Sequence, residues 1–587
     1  MCGIFGIFSR YGDVQNDRFY KMSRLLQAGL KHRGPDGTNM VSLDNYAILG
    51  HTRLAINDVS GGSQPFKHKC LDGITSVVNG ELYNYPLLRL RVSEKYGRLD
   101  TESDCEPIAF FLSGLLDEDR LSAEGMYAAA CYNKHERKMI LARDIFGEKP
   151  LYYYLSDEFF VFSSELKALA EAVLDSADLL EKSAVIQYML YGYPIGLQTI
   201  YPGISQIEAG AVCSISTCQW TLTCNQRYWS KDKALKVVED QSNMLELCRE
   251  NLVQYVQQST LSDVPICMGL SGGLDSALIA ALNRDCIDRA FTVTYEAPGG
   301  SDEANDALKT ARYLGIHHEV VRIDNSNVVR LFLEQVRRKD TPIVDIAGIG
   351  YAALYERMSQ SGYKVALMGH GGDELFVGYP WLYQSLLHNL RRTPDQSLIY
   401  ETLPDFRVYM RLLANILTPD LVSTLRWEAF RPSSSNVAGG YSSTFDLVRQ
   451  YWLEPNSLKM GDAISMSFSI ESRHPLLAPQ VYSLLSTVDA SAFFPEAKWP
   501  LRQILSTLLP GELIQREKRY FSPPYMTYYS MIHNSCMPTW KRNPVLRELG
   551  IFASGTLDRF YDEGFRGDWF DYYLFPRLST LHAWIAR

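Results

Sequence analysis

The chain has 587 residues, 46% apolar and 21% charged, with 58 basic and 67 acidic side chains for a net charge of −9. That length exceeds what one hydrophobic core usually holds, so two domains are expected, and the acidic balance disfavours nucleic acid or anionic lipid as a partner. No run approaches the roughly 18 apolar residues of a membrane span, the N-terminus lacks the basic region of a signal peptide, and eleven scattered cysteines without a framework fit a reducing cytoplasm.

In chain order, Met1-Cys2-Gly3-Ile4 comes first. Loss of the initiator methionine would leave a thiol and a free α-amine on one residue. A thiolate is a strong nucleophile, and an amine with an ordinary pKa of roughly 7.7–8.0 is poised to take its proton. The competing reading is a small apolar residue leading into an edge strand. Residues 1 to about 230 hold short β-type runs at 47–49, 75–78, 138–142 and 159–162 between Gly, Asn and Asp turns, which predicts layered sheets with a few helices. Cys213, Cys218 and Cys224 lack the paired C-x2-C spacing of a zinc site and read as cysteines of core strands. A last strand-like stretch at 210–228 precedes a helix-favouring segment at 230–250, placing a boundary near 232.

Beyond that boundary the pattern changes. The apolar run 264–270 leads through a glycine turn into a predicted helix at 276–283, with further buried-strand candidates at 289–295 and 364–368. Strands alternating with helices predict a parallel α/β sheet, and the chain beyond about 380 reads as mostly helical. Leu270-Ser271-Gly272-Gly273-Leu274-Asp275-Ser276 follows a strand and opens a helix. Two glycines admit a phosphate close to the backbone, the hydroxyls can donate to it, and the helix N-terminus favours negative charge. It is not a Walker A loop, because the Gly-Lys-Ser/Thr ending is absent. Met368-Gly369-His370-Gly371-Gly372-Asp373-Glu374 repeats the strand-then-glycine logic. Turns at the carboxyl ends of parallel strands converge on a ligand, so Asp275 and Asp373 are candidate partners for one Mg2+.

Six ordered motifs carry a resemblance: Cys2-Gly3-Ile4, His32-Arg33-Gly34-Pro35-Asp36-Gly37, His51-Thr52-Arg53-Leu54-Ala55-Ile56, Gln64-Pro65-Phe66, Asn79-Gly80-Glu81-Leu82-Tyr83-Asn84 and Ser103-Asp104-Cys105-Glu106. They resemble the class II glutamine amidotransferase domain. With residues 271–276 added, the chain resembles, over nearly its whole length, the glutamine-hydrolysing asparagine synthetase family of the bacterial type. The resemblance implies an α+β N-terminal-nucleophile αββα sandwich over residues 1–232. Over 233–587 it implies an α/β ATP-pyrophosphatase domain, Rossmann-like with a parallel sheet and a largely helical C-terminal part. The implied activity is that of an ATP-dependent carbon–nitrogen ligase with glutamine as amido donor, ATP and Mg2+ as cofactors, and a cytoplasmic setting. The expected partners are glutamine, a carboxylic acid acceptor and, in the assembly, a second copy of the chain as a homodimer.

The same resemblance implies residue roles. Cys2 attacks the glutamine carbonyl, and the Asn79 amide with the Gly80 backbone N–H forms the oxyanion hole. Arg53 clamps the α-carboxylate, which suits its fork, and Asp104 with Glu81 receives the α-ammonium. Leu270, Ser271, Gly272, Gly273, Asp275, Ser276, Val293 and Gly369 bind ATP, and Lys498 stabilises charge on the phosphate and acyl oxygens. Arg502, one helical turn later, lies on the same face as Lys498. Ammonia must pass between the domains through a sheltered apolar passage.

The acceptor side departs from the family pattern. Many bacterial members carry Ser-Gly-(Asp or Glu)-Gly-(Gly or Ser)-Asp-Glu-(Leu or Val)-Phe-Gly-Gly-Tyr; here Met368 stands for the serine, His370 for the acid and Val377 for a glycine. An acid at that third position would suit the amino group of aspartate, whereas His370 removes the charge and is open to acting as a base or pairing with an acidic acceptor. His474 and Ala478 stand where valine or isoleucine and aspartate are common, while Asp340-Thr341-Pro342-Ile343-Val344-Asp345 keeps the Asp-x-Pro-x-x-Asp pattern. His370 and Asp345 are therefore the candidate acceptor-binding residues. The expected function is amidation of a carboxylic acid other than aspartate. An ordinary asparagine synthetase is the alternative, and a β-lactam-synthetase-like cyclase a third class, which the presence of Cys2, Arg53, Asn79, Gly80 and Asp104 disfavours.

Overall fold

The short apolar runs of the first 225 residues pair into two six-stranded antiparallel sheets, seen here in a computed structural model that describes residues 2–115, 123–175, 180–225, 241–300, 303–379, 413–425, 442–487, 496–516 and 523–586. One sheet runs, edge to edge, through Ile204–Gln206, Tyr152–Leu155, Phe159–Ser163, Gly3–Ser9, Ala47–Arg53 and Gly37–Leu43. The other runs through Thr223–Asn225, Val212–Ser216, Lys138–Arg143, Gly125–Asn133, Ile74–Leu82 and Phe66–Lys67. The first strand is buried along its whole length because both of its faces are covered. Ile4 and Phe8 meet Val77, Ala128 and Leu141 between the sheets, while Phe5 and Ile7 meet Phe19, Leu26 and Leu169 of outer helices. On the far side, Val78 and Leu82 pack with Leu88, Val92 and Phe110. Strand period two thus builds four layers, helix–sheet–sheet–helix.

The cysteine reading is corrected by this register. Cys213 lies opposite Cys224 on neighbouring antiparallel strands, and the two form a disulfide; Cys224 and Cys218 are exposed rather than core residues. The register, invisible in the spacing of the cysteines, is what brings the two sulfurs together. The boundary near 232 lies outside the described residues.

The second half folds around a five-stranded parallel sheet in the order His317–Ile323, Ile287–Tyr295, Ile266–Gly269, Val365–Leu367, Glu471–Arg473. The order reverses direction between Ile266–Gly269 and Val365–Leu367, and ligands bind at such switch points beyond the carboxyl ends of the strands. The helix after the first glycine turn begins at Leu274, earlier than the predicted 276. Helices such as Tyr525–Trp540, Ser554–Asp562 and Phe575–Ile585 dominate the described C-terminal part. No described helix is long and apolar enough to cross a membrane.

The halves are joined by buried charge. Arg33 makes a two-pronged contact with Asp462 at 2.8 and 3.2 Å, Arg143 reaches Glu454 at 2.7 Å, and His474 Nδ1 meets Glu148 at 2.8 Å.

Candidate active sites

The first site grows from two neighbouring strands. Along Ile74–Leu82, period two points Asn79 and Glu81 to one face and Val78, Gly80 and Leu82 to the other. Cys2, at the start of the first strand and 8% exposed, donates its backbone N–H to Asn79 Oδ1 at 3.1 Å. That bond fixes which way the amide points. Asn79 Nδ2 is left buried with no hydrogen-bond partner among the described residues, a donor waiting for an oxygen close to the Cys2 thiol. Gly80 has φ +147, and a Cβ there would lie 2.0 Å from the Met126 carbonyl oxygen, so only glycine fits. Arg33 Nε donates to the Cys2 carbonyl at 3.0 Å, tying the strand to the Arg33–Asp462 contact. Burial pushes the Cys2 thiol above its ordinary range, with the nearby amino terminus opposing and the Glu471 and Glu81 charges adding to the rise.

Around this thiol stand groups for a zwitterion. Arg53 is caged by the carbonyls of Val59, Asn57 and Asp58 at 3.1, 3.3 and 2.5 Å, which holds its fork in place. Glu81 is hydrogen-bonded by the Asn57 amide, and Asp104 accepts from the Leu82 N–H at 2.9 Å. Burial raises the pKa of both carboxyls, and for Glu81 the neighbouring Asp104 and Glu471 charges raise it further. Two buried carboxyls held up in this way gain from an arriving ammonium, which favours their ionised forms. Arg473 lies 3.5 Å from Glu81, bringing the edge of the parallel sheet to this site. Arg33, Asn57, Asp58 and Arg473 were not given functional roles from the sequence, although Arg33 lies within the 32–37 motif and Asn57 and Asp58 follow the 51–56 motif.

The second site is a cavity of about 560 Å3 at the switch point of the parallel sheet, within the roughly 300–1,000 Å3 of small-molecule sites. It brings together Leu270, Ser271, Gly272, Gly273, Asp275, Ser276, Val293, Gly369, His370, Asp373, Asp345 and Lys498, every synthetase-side residue expected from the sequence. The glycine turn is held by its own hydroxyls: Ser271 N–H donates to Ser276 Oγ at 3.0 Å and Gly273 N–H to Ser271 Oγ at 3.1 Å. Lys498 lies between the two acids, Nζ at 2.5 Å from Asp275 and 2.7 Å from Asp373. Burial disfavours its charge, but the two carboxylates outweigh burial and hold the ammonium above its ordinary pKa. Its backbone is left-handed at φ +58, a strained state for a non-glycine residue, secured by its N–H on the Phe376 carbonyl at 2.9 Å. A Cβ at Gly378 would lie 2.0 Å from Asp373 Oδ1 and 2.7 Å from Lys498 Cε, so a glycine lets the chain close over this cluster.

Asp275 and Asp373 fit Mg2+ by the chemistry of their donors, two hard carboxylates beside the glycine turn and too few for a cage made by protein alone, although in this structure both contact Lys498. Among the described residues no group of three or more metal-ligating side chains exists.

On the cavity wall the His370 ring lies 5.4 Å from Tyr351 and 4.8 Å, edge to face, from His474. Burial and then His474 push its pKa down to about 3, so it is neutral. His474 is fixed by Glu148 and by Ser472 Oγ at 3.0 Å. Asp345 accepts from the Ala347 N–H at 2.9 Å. Arg473 also contacts Glu471, and His474 contacts Glu148, so buried charged groups cluster beside both sites.

A family model described as asparagine synthase matches residues 247–586, and one described as a glutamine amidotransferase domain matches residues 1–229. The glutamine-hydrolyzing asparagine synthetase 1 of Bacillus subtilis is 27% identical over 580 residues, which cover 92% of this chain and 89% of that protein. The glutamine-hydrolyzing asparagine synthetase 3 of the same bacterium is 25% identical, covering 100% of this chain and 98% of the relative. Amidase chry2 of Gibberella zeae is 29% identical over 416 residues, 65% of this chain and 59% of the amidase.

Proposed function

The chain belongs to the asparagine synthase family and carries a glutamine amidotransferase domain ahead of the synthase domain, and on that premise we propose a glutamine- and ATP-dependent amidotransferase whose acceptor is a carboxylic acid other than aspartate. The observation that carries the glutamine half is Asn79, which spends Oδ1 on the Cys2 N–H and keeps Nδ2 buried and unpartnered. In this reading Met1 is removed and the Cys2 amine takes the thiol proton. The thiolate attacks the side-chain amide carbon of glutamine, and the oxygen that becomes negative is met by Asn79 Nδ2 and the Gly80 N–H. Collapse, with the Cys2 ammonium returning its proton to the leaving nitrogen, expels ammonia and leaves a thioester that water hydrolyses to glutamate, freeing the thiol. Arg53 holds the substrate carboxylate, and Glu81 with Asp104 the ammonium.

In the second domain the acceptor carboxylate attacks the α-phosphorus of ATP and pyrophosphate leaves. Ammonia then attacks the activated acyl carbon and AMP departs with the bond pair. The turn at 271–276 cradles the phosphates, and Lys498 neutralises charge on the departing oxygens. Mg2+ held by Asp275 and Asp373 would supply further charge neutralisation at the pyrophosphate. The altered acceptor is supported by His370, neutral where the family pattern has an acid, and by a relative named as an amidase. The names of the Bacillus relatives favour a second reading, aspartate as acceptor. A cytoplasmic setting and a homodimer complete the proposal.

ATP–pyrophosphate exchange across a panel of carboxylic acids decides between the readings: exchange confined to aspartate overturns the altered acceptor. Cys2→Ala is expected to abolish glutamine use while ammonia-supported synthesis continues; retained glutaminase activity would overturn the nucleophile assignment.

A further inference from the structure

One wall of the cavity at the sheet's switch point is built by an uncommon element. Residues Arg449–Leu458 wind as a π helix, a form that is rare and mostly found as single turns at functional sites. Its i→i+5 winding turns Trp452, Asn456 and Ser457 all toward the cavity. In an α helix, Ser457 would sit roughly 140° around the axis from Trp452. Trp452 Nε1, Asn456 Oδ1 and, across the cavity, His370 Nδ1 are buried atoms with no hydrogen-bond partner among the described residues. Asn456 is 5% exposed, and its amide nitrogen faces Asp345 Oδ2 at 3.5 Å, which turns its oxygen away from that carboxylate. Buried polar groups are normally satisfied, so three orphaned atoms around one space point to a ligand that meets them.

The rest of this end is flat and apolar. Tyr379 stands edge-on to Trp452 at 6.1 Å, Tyr351 lies against His370, and Met368 and Met460 fill between. The cavity's cations belong to the phosphate side: Lys498 on Asp275 and Asp373, Arg516 on the Asp306 carbonyl, Arg502 on the carbonyls of Ala497 and Ile514. Asp345 can receive an ammonium.

Resting on the altered-acceptor reading, we infer that Trp452, Asn456 and His370 form the specificity site for the acceptor's body. The acceptor is then an aryl or similarly flat carboxylic acid bearing a neutral N–H or O–H group. The Trp452 indole N–H donates to an acceptor atom on that body, Asn456 Oδ1 accepts from its N–H or O–H, and the rings stack on its faces.

The test is ATP–pyrophosphate exchange by the full chain with L-aspartate, succinate, 4-hydroxyphenylacetate and indole-3-acetate. At least one aryl acid is expected to exceed both small acids by about tenfold or more in kcat/KM, and Asn456→Ala and Trp452→Ala each to raise its KM by about tenfold with the KM for ATP unmoved. Trp452→Phe keeps the ring and loses only the N–H, so it should fall between Trp452→Ala and wild type. Melting curves matching wild type establish that the variants fold. Exchange with aspartate alone sinks the altered-acceptor reading and this inference together. Preference for succinate, exchange with none of the four, or an acceptor KM indifferent to all three variants sinks this inference only.

Discussion

Replacing Asn79 by alanine removes two interactions of very different weight. One is the acceptor for the Cys2 N–H at 3.1 Å, a neutral bond with a net value of roughly 0.5–1.5 kcal/mol of stability. The other is the partnerless Nδ2, which makes nothing in the resting protein and acts only when negative charge appears on the substrate oxygen. Loss of one such donor typically costs about 2.7–4 kcal/mol at the transition state, or ~10²–10³-fold in kcat. Because the donor serves developing charge, the loss falls on kcat, and the KM for glutamine moves little. The assay is glutamate release from glutamine by the purified variant, paired with amide formation on ammonium chloride, which should match wild type. Asn79→Asp keeps the Oδ1 acceptor and removes the donor, so its kcat should fall with that of the alanine variant. A fall in kcat smaller than about fivefold, ~1 kcal/mol, with either variant would refute Asn79 as an oxyanion donor.

Lys498→Ala should abolish synthesis with either glutamine or ammonia, because Asp275 and Asp373 are left facing each other without the ammonium between them; glutaminase activity measured alone should persist. Arg33→Ala leaves Asp462 buried without its two-pronged partner, so a loss of roughly 3–5 kcal/mol is expected in urea unfolding, and unchanged stability would contradict a tight domain junction. Lys339 is fully buried, and burial pushes its pKa down to about 7, with Asp345 opposing. Between that value and its ordinary ~10.4 the unfolded chain binds more protons than the folded one, so this residue makes stability rise with pH across that window and penalises it fully below. Lys339→Met should remove that slope in melting temperature against pH and gain most near neutrality; an unchanged slope would show that Lys339 is charged in the folded chain.

Local pattern made part of both sites legible. Asn79 and Glu81 share a strand face because side chains alternate, and the turn at 271–276 follows a strand because glycines and hydroxyls crowd there. Part of the synthetase side was legible for the same reason: residues 270–276 and 369–373 follow short strands, and parallel strands gather their carboxyl ends, whereas Lys498, Asp345 and Val293 were named from the family resemblance. The chain's order of motifs likewise carried the division into a layered antiparallel half and a parallel half.

What the linear chain does not encode locally is which distant segments meet. Arg33 and Asp462 are 429 residues apart, and nothing in either neighbourhood signals a bond across the domains. Cys213 and Cys224 pair only because strand register sets them opposite one another. The His370–His474 contact, the seat of Lys498 between two acids, and the π winding that turns Trp452 and Asn456 inward all depend on packing between elements rather than on periodicity within one. The sequence by itself determined the chemistry on hand, a thiol with an asparagine amide and a glycine- and serine-rich turn with two acids. Only the tertiary structure decided what surrounds that chemistry, because burial, charge pairing and the shape of the cavity are set by contacts between segments far apart in the chain.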